Sequence, residues 1–223
     1  MQIIHLDLQE LPLFRDVSTE EINRFIEETS AVIKRYEKSC RVLKAYEPNG
    51  SIGVIVEGEA QVLSEDRFGN AAISHGLERG AMLGSTSAIM PQVPYTTTIE
   101  ALTDVLVLWV PYRALLTAGP KLGRTHGIVM KNLLEAFCWK NLLMMQKIEL
   151  LSQKTLRERL ILYLLQREQR QKRERVHVPG RVQLAKELEC NRSALTREVG
   201  AMRSDGMLVC GADWMQLDKD KIG

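Results

Sequence analysis

The sequence predicts an α+β chain in three successive parts: a β-roll, one long dimerisation helix and a winged helix-turn-helix. Three observations carry that order. Short apolar runs cut by glycines fill residues 31–115, a heptad repeat of apolar residues crosses 130–151, and two short amphipathic helical patterns with a following strand pair lie between 181 and 217. The boundaries read from these patterns are 1–120 for a sensing β-roll domain, 121–153 for the helix and 154–223 for the winged unit.

The first thirty residues read as a helical cap. Ser18-Thr19-Glu20-Glu21 is an S-x-x-E capping box, followed by Ile22, Phe25 and Ile26 at helical spacing. The roll comes next. Val42–Tyr46, Ile52–Val56, Ala60–Leu63, Thr96–Glu100 and Val105–Val110 alternate or run apolar, as half-buried and buried strands do. Turns are expected at Glu47-Pro48-Asn49-Gly50 and Phe68-Gly69-Asn70, and Gly58, Gly80 and Gly84 are read as positions of positive φ or close backbone approach. Several short strands at this spacing close into a barrel or roll.

From 121 to 168 the period becomes helical. Met130, Phe137, Met144 and Leu151 recur every seven residues, and Leu134, Asn141 and Ile148 do so with an offset of four. Interleaved in this way they are the d and a positions of a coiled-coil seam. A buried Asn at an a position fixes register and dimer state at some cost in stability, and Asn141 holds that place. The preferred reading is a homodimer seam; the alternative is a helix packed on the β domain of its own chain. Lys140 and Lys147 flank the seam and are expected to snorkel. The charged run Arg167–Arg175 is read as a solvated connection.

The C-terminal unit carries the functional signal. After a short strand at Val176-His177-Val178, a first helix bears Leu184, Ala185 and Leu188 on one side, and Glu189-Cys190-Asn191 makes the turn. Asn191 is the N-cap of a second helix whose Leu195, Val199 and Met202 form one apolar stripe. At about 100° per residue, Arg192, Ser193, Thr196 and Arg197 fall within an arc of roughly 140° on another side. A helix with an apolar back and an arginine and hydroxyl front suits the major groove of double-stranded DNA. Met207–Cys210 and Trp214–Leu217, around Gly211-Ala212-Asp213, read as the wing. Charge agrees with this placement: residues 1–151 sum to −3 and residues 152–223 to +5, and a positive field suits a polyanion.

Other classes find little support. The sequence shows no nucleophile elbow, P-loop, HExxH or dinucleotide fingerprint, and His5, His75, His126 and His177 have no ligand spacing, so no catalysis and no metal are expected. Cys40, Cys138, Cys190 and Cys210 are scattered and read as reduced thiols. No apolar run approaches the roughly 20 residues that span a bilayer, and the first residues lack a basic, then apolar, leader pattern. A cytoplasmic protein without membrane partners is expected.

The order of roll, long helix and winged helix-turn-helix resembles the cyclic-AMP receptor protein / fumarate-nitrate reduction regulator (CRP/FNR) family along nearly the whole chain. Leu11-Pro12-Leu13-Phe14 with Ser18–Glu21 is similar to that family's N-terminal entry. Pro48-Asn49-Gly50 through Glu57-Gly58-Glu59 is similar to its first roll turns, and Arg181-Val182-Gln183-Leu184-Ala185 through Arg197 to its DNA-reading unit. The resemblance implies a cyclic-nucleotide-binding-like roll and a transcription regulator that is a homodimer on a pseudo-palindromic site. Arg192, Ser193 and Arg197 then hold base-contacting positions, with Thr196 beside them, and Arg181 holds a phosphate-contacting one. RNA polymerase is a further candidate partner. A reading without DNA binding, as a ligand-sensing or protein-interaction module, is the alternative.

The resemblance breaks at the nucleotide cassette. Relatives that bind cyclic AMP place a Gly-Glu pair on the ribose and an Arg on the phosphate. Here Ser85 follows Gly84 where the Glu would stand, and Tyr95 occupies the place of the Arg. A buried phosphate without its guanidinium is penalised by on the order of 3–5 kcal/mol. Cyclic AMP and cyclic GMP are therefore not expected as effectors, and no cofactor is assigned. The site is either a pocket for another ligand, touched by Gly84, Ser85, Thr86, Tyr95 and Thr96, or a filled core. No cysteine precedes Cys40, against an iron–sulfur sensor, and the lone His75 in the roll reads as an ordinary residue rather than a haem ligand. Glu189 replaces a Gly common at the turn, which adds strain if that position needs positive φ.

Overall fold

The structure, a computed structural model, describes residues 7–65, 71–93 and 95–222; the side chains of residues 65 and 71–75 fall outside that description. The turn expected at 68–70, the segment 1–6 and the side chain of His75 therefore lie outside the described residues.

The chain forms two compact units, Met1–Phe137 and Cys138–Gly223. The first begins with α1 (Thr19–Thr29). Its start is the expected capping box: Ser18 Oγ accepts from the Glu21 N–H at 3.3 Å and the Ser18 N–H donates to Glu21 Oε2 at 2.9 Å. That backbone donor, with the Thr125 hydroxyl at 2.8 Å, holds the Glu21 carboxyl below the usual carboxylate range.

Eight strands follow: β1 (Val32–Tyr36), β2 (Arg41–Leu43), β3 (Ser51–Glu57), β4 (Ala60–Glu65), β5 (Ala71–Leu77), β6 (Met82–Leu83), β7 (Thr97–Ala101) and β8 (Val105–Pro111). A short α2 (Ser85–Ile89) sits between β6 and β7. They make two antiparallel four-stranded sheets, ordered β1-β8-β3-β6 and β2-β7-β4-β5. The apolar run of β8 shows why a roll forms. Successive strand residues face opposite sides, and here both sides are buried. Leu108 and Val110 join a core with Ile22 and Phe25 of α1, while Val105, Val107 and Trp109 join a second core with Val62, Leu83 and Ile99. Gly58 has φ +83°, and a Cβ there would lie 2.1 Å from the Asp104 carbonyl, so only glycine fits.

Two short helices, α3 (Tyr112–Thr117) and α4 (Gly119–Leu122), lead to α5 (Arg124–Ser152), 29 residues or about 43 Å long. Its first turns pack on the roll through buried Val129 and Leu133, with Met130 and Phe137 half-buried beside them. The buried carboxamide of Asn132 donates to the carbonyls of Leu13 and Arg15, at 3.1 and 2.8 Å, which pins the N-terminal entry to α5.

The second unit holds the rest of α5, then α6 (Leu156–Gln171), β9 (Val176–His177), α7 (Arg181–Glu187), α8 (Arg192–Ser204), β10 (Leu208–Cys210) and β11 (Trp214–Leu217). The three strands pair in the order β10-β11-β9, which makes the wing. One core joins Leu150 of α5 to Leu160 and Leu164 of α6, Leu184 and Leu188, and the apolar stripe of α8. Thr155 opens α6 with a second capping box to Glu158.

The charged run Arg167–Arg175 is not the solvated connection that composition suggests. Its first five residues are the last turns of α6, which ends at Lys172 with φ +51°. Arg167 lies 4.8 Å over the Tyr163 ring and 3.1 Å from the Glu187 carboxylate. The run looks polar throughout, but its members divide between a packed helix face and water. Among the described residues no helix is long and apolar enough to cross a membrane.

Candidate nucleic-acid interface

The turn between α7 and α8 fixes how the second helix is presented. α7 ends in a Schellman arrangement: the Cys190 N–H donates to the Ala185 carbonyl at 3.0 Å and the Glu189 N–H to the Lys186 carbonyl at 3.2 Å. That geometry needs a left-handed residue after the last helical turn. Glu189 supplies it with φ +48°, so the strain anticipated from the missing glycine is present. Burial raises the neighbouring Cys190 thiol above its usual value, which keeps it protonated.

Asn191 caps α8 as expected. Its Oδ1 accepts from the Ala194 N–H at 2.8 Å and from the Ser193 hydroxyl at 2.9 Å. Leu195, Val199 and Met202 are buried, so the opposite face must point outward. Arg192, Ser193, Thr196 and Arg197 are all exposed on that face. Thr196 turns its hydroxyl back to the Arg192 carbonyl at 2.8 Å. The two guanidinium groups are the strongest donors on the face, and a guanidinium fork matches the O6 and N7 of guanine. Arg181 starts α7 and is only half-buried, but its Nη1 is buried and has no hydrogen-bond partner among the described residues.

A set of supporting residues has no signature in the sequence. Arg157 of α6 pairs with Glu198 on α8 at 2.7 Å and with Asp205 at 2.8 Å. Arg159 donates to the Leu188 carbonyl at 2.9 Å. Lys147 does not snorkel into water as expected from its place beside the seam. Its Nζ donates to the Glu187 carbonyl at 2.6 Å and lies 3.6 Å from a Glu189 carboxylate oxygen. Partners 40 residues away in sequence leave no periodic trace.

The seam residues divide. Met130 and Phe137 are half-buried against their own roll, so the alternative reading describes the start of α5. Leu134, Asn141, Met144 and Ile148 are exposed, and Leu151 is half-buried. Trp139, Leu142, Leu143 and Met145 are exposed as well, which the heptad pattern did not single out. The run Leu142-Leu143-Met144-Met145 was the available signal, since four consecutive apolar residues cannot share one helix face.

The effector-pocket candidates are placed unequally. Gly84 takes φ +69°, Ser85 is buried, Tyr95 is half-buried, and Thr86 and Thr96 are exposed. Asn49 braces this corner: its amide donates to the carbonyls of Ser51 and Gly84, at 2.8 and 2.9 Å, and to the Ser87 hydroxyl at 3.1 Å. Inside the roll the Trp109 ring lies against Gly53 and Gly84, and its Nε1 donates to the Tyr36 hydroxyl at 3.0 Å. A void of about 10 Å³ lies in the other core of this unit, lined by apolar side chains that include Leu13, Phe25 and Val129; that is room for about one water.

These features define a class of architecture, a cyclic-nucleotide-binding type of roll followed by a winged helix-turn-helix. Comparison with known proteins agrees. Residues 33–118 match the family model of the cyclic nucleotide-binding domain. Among solved structures, the Thermus thermophilus catabolite activator protein superposes with a TM-score of 0.53 at 18% identity, covering 93% of this chain and 94% of that one. A CprK variant complexed with OCPA gives 0.61 at 13% identity, with coverage of 87% and 89%. A protein described as a regulator of the CRP/FNR family, from Eubacterium rectale, gives 0.50 at 17% identity and 95% coverage of both chains. At these identities the likeness establishes the fold. No curated protein sequence matches the chain.

Proposed function

We propose that this chain is a sequence-specific, DNA-binding transcription regulator that acts as a homodimer on a pseudo-palindromic site. The observation that carries the reading is the division of α8: Leu195, Val199 and Met202 are buried, and Arg192, Ser193, Thr196 and Arg197 are exposed together. Structures of the same fold, one a catabolite activator protein and one described as a transcriptional regulator of the CRP/FNR family, support it. The exposed apolar length of α5 supports a two-fold partner, because large contiguous apolar patches mark interaction surfaces. A two-fold dimer presents its recognition helices about one DNA turn, roughly 34 Å, apart. Ser85 and Tyr95, which stand in place of the ribose-binding Glu and the phosphate-binding Arg, support DNA binding without a cyclic nucleotide.

Selection from random DNA duplexes with ligand-free protein at moderate salt tests this. The expected result is an enriched pseudo-palindrome with guanines in each half-site. No enrichment at any salt concentration by a well-folded dimer overturns the reading in favour of a protein-interaction module. Calorimetry with cyclic AMP and cyclic GMP is expected to show no micromolar binding.

A further inference from the structure

We propose that Lys147 is a positioning residue that sets the DNA-reading helix against the dimer helix; this rests on the DNA-binding function proposed above. The last turn of any helix leaves carbonyls without intrahelical partners. At the end of α7 two of them are taken by cations from other helices: Lys147 of α5 holds the Glu187 carbonyl at 2.6 Å, and Arg159 of α6 holds the Leu188 carbonyl at 2.9 Å. Positive donors are favoured at that helix end. Lys147 also faces the carboxylate of Glu189, the residue held at φ +48°. One side chain thus reaches both the end of α7 and the strained residue that aims α8.

Lys147 is also adjacent to Ile148 and one turn from Met144, the two most C-terminal exposed seam residues. The rest of that turn of α5 is held by α6. Gln166 donates its amide to the Gln146 carbonyl and to a Glu149 carboxylate oxygen, both at 3.2 Å, and Leu150 is buried in the core of the second unit. The break between α5 and α6 falls at residues 153–155. These contacts cross it and tie α5 directly to the reading unit. The separation of the two reading helices then follows from the dimer seam through Lys147 rather than from the backbone link.

The test uses the full chain and the site enriched by selection. Affinity is measured for that site and for versions with one base pair added to or removed from the centre. Each base pair shifts one half-site by about 3.4 Å and rotates it by about 35°. The wild type is expected to lose at least tenfold on either change. Lys147→Met keeps the apolar stem and removes the donor. It is expected to remain a dimer, to bind an isolated half-site as the wild type does, and to shrink the spacing penalty to threefold or less. Lys147→Arg is expected to restore it. If the methionine variant unfolds, Lys147→Leu, which also lacks a donor, takes its place. A variant with the wild-type spacing penalty overturns the inference alone. So does a parallel loss of half-site affinity and thermal midpoint, which marks a merely structural role. A wild type that enriches no site overturns the DNA-binding reading, and this inference with it.

Discussion

Replacing Met144 and Ile148 together by glutamate is expected to abolish the dimer and leave the fold of each chain intact. Met144 is 57% exposed and Ile148 67% exposed in the single chain, so neither contributes much to the chain's own cores. Fully burying such a side chain stabilises by about 1.5–3 kcal/mol, so burying the exposed 60% or so is worth about 0.9–1.8 kcal/mol each. Four such side chains meet in a two-fold dimer, giving about 4–7 kcal/mol, before any cost of placing carboxylates in the seam. At about 1.4 kcal/mol per factor of ten, the dissociation constant rises by about three to five orders of magnitude. Sedimentation velocity across a concentration series reads this directly, and far-ultraviolet circular dichroism checks that the monomer keeps its helices. A double variant that sediments as a dimer with the wild-type dissociation constant refutes the reasoning. So does a monomeric variant with an unfolded spectrum, which would mean that these side chains belong to an intrachain core.

Further outcomes concern the reading unit. Arg197→Ala is expected to cost about 1–3 kcal/mol in DNA affinity and to relax preference at one guanine; competition binding against single-base variants of the site checks it, and uniform weakening would mark a phosphate contact. Glu189→Gly removes a side chain from a left-handed position and forgoes only an exposed ion pair, so chemical denaturation is expected to show a gain of about 0.5–1 kcal/mol. Burial, and then the hydrogen bond to Glu187, raise the Tyr163 hydroxyl far above the ordinary tyrosine value. The unfolded chain then releases this proton near pH 10 while the folded chain keeps it, so stability falls as pH rises above about 10. A Tyr163→Phe variant should show a shallower decline between pH 10 and 12 in denaturation midpoints, and equal slopes would show that the group does not contribute.

The sequence displayed the reading unit because its information is local. The capping residue Asn191, the stripe Leu195-Val199-Met202 and the outward arginines all lie within twelve positions, and helical periodicity suffices to sort them. The capping box at Ser18–Glu21 and the central strand β8 were legible for the same reason. The strand β1 has no such local signal: Val32-Ile33-Lys34-Arg35-Tyr36 carries two adjacent charges and becomes a strand by pairing with β8. Tertiary pairing overrides propensity at such edges. The corner of the roll was legible only in part. Gly84 stands out in the sequence, but the brace from Asn49 and the Trp109–Tyr36 contact join residues 35 and 73 positions apart. Lys147 was visible only as a cation beside a seam; what it grips is a backbone carbonyl, and a carbonyl has no letter in the sequence.

The division between the two compact units falls inside α5, between Phe137 and Cys138, rather than in a loop. That bears on how the reading unit can be exchanged between proteins. A fragment that begins at Lys154 leaves behind Leu150, which is part of its core, and the Lys147 ammonium that closes the end of α7. A fragment that begins at Cys138 takes both along. Any graft of this unit onto a different sensor must therefore be spliced within continuous helix, in phase with its 3.6-residue turn, and an insertion of one or two residues there would rotate every downstream side chain away from its seat.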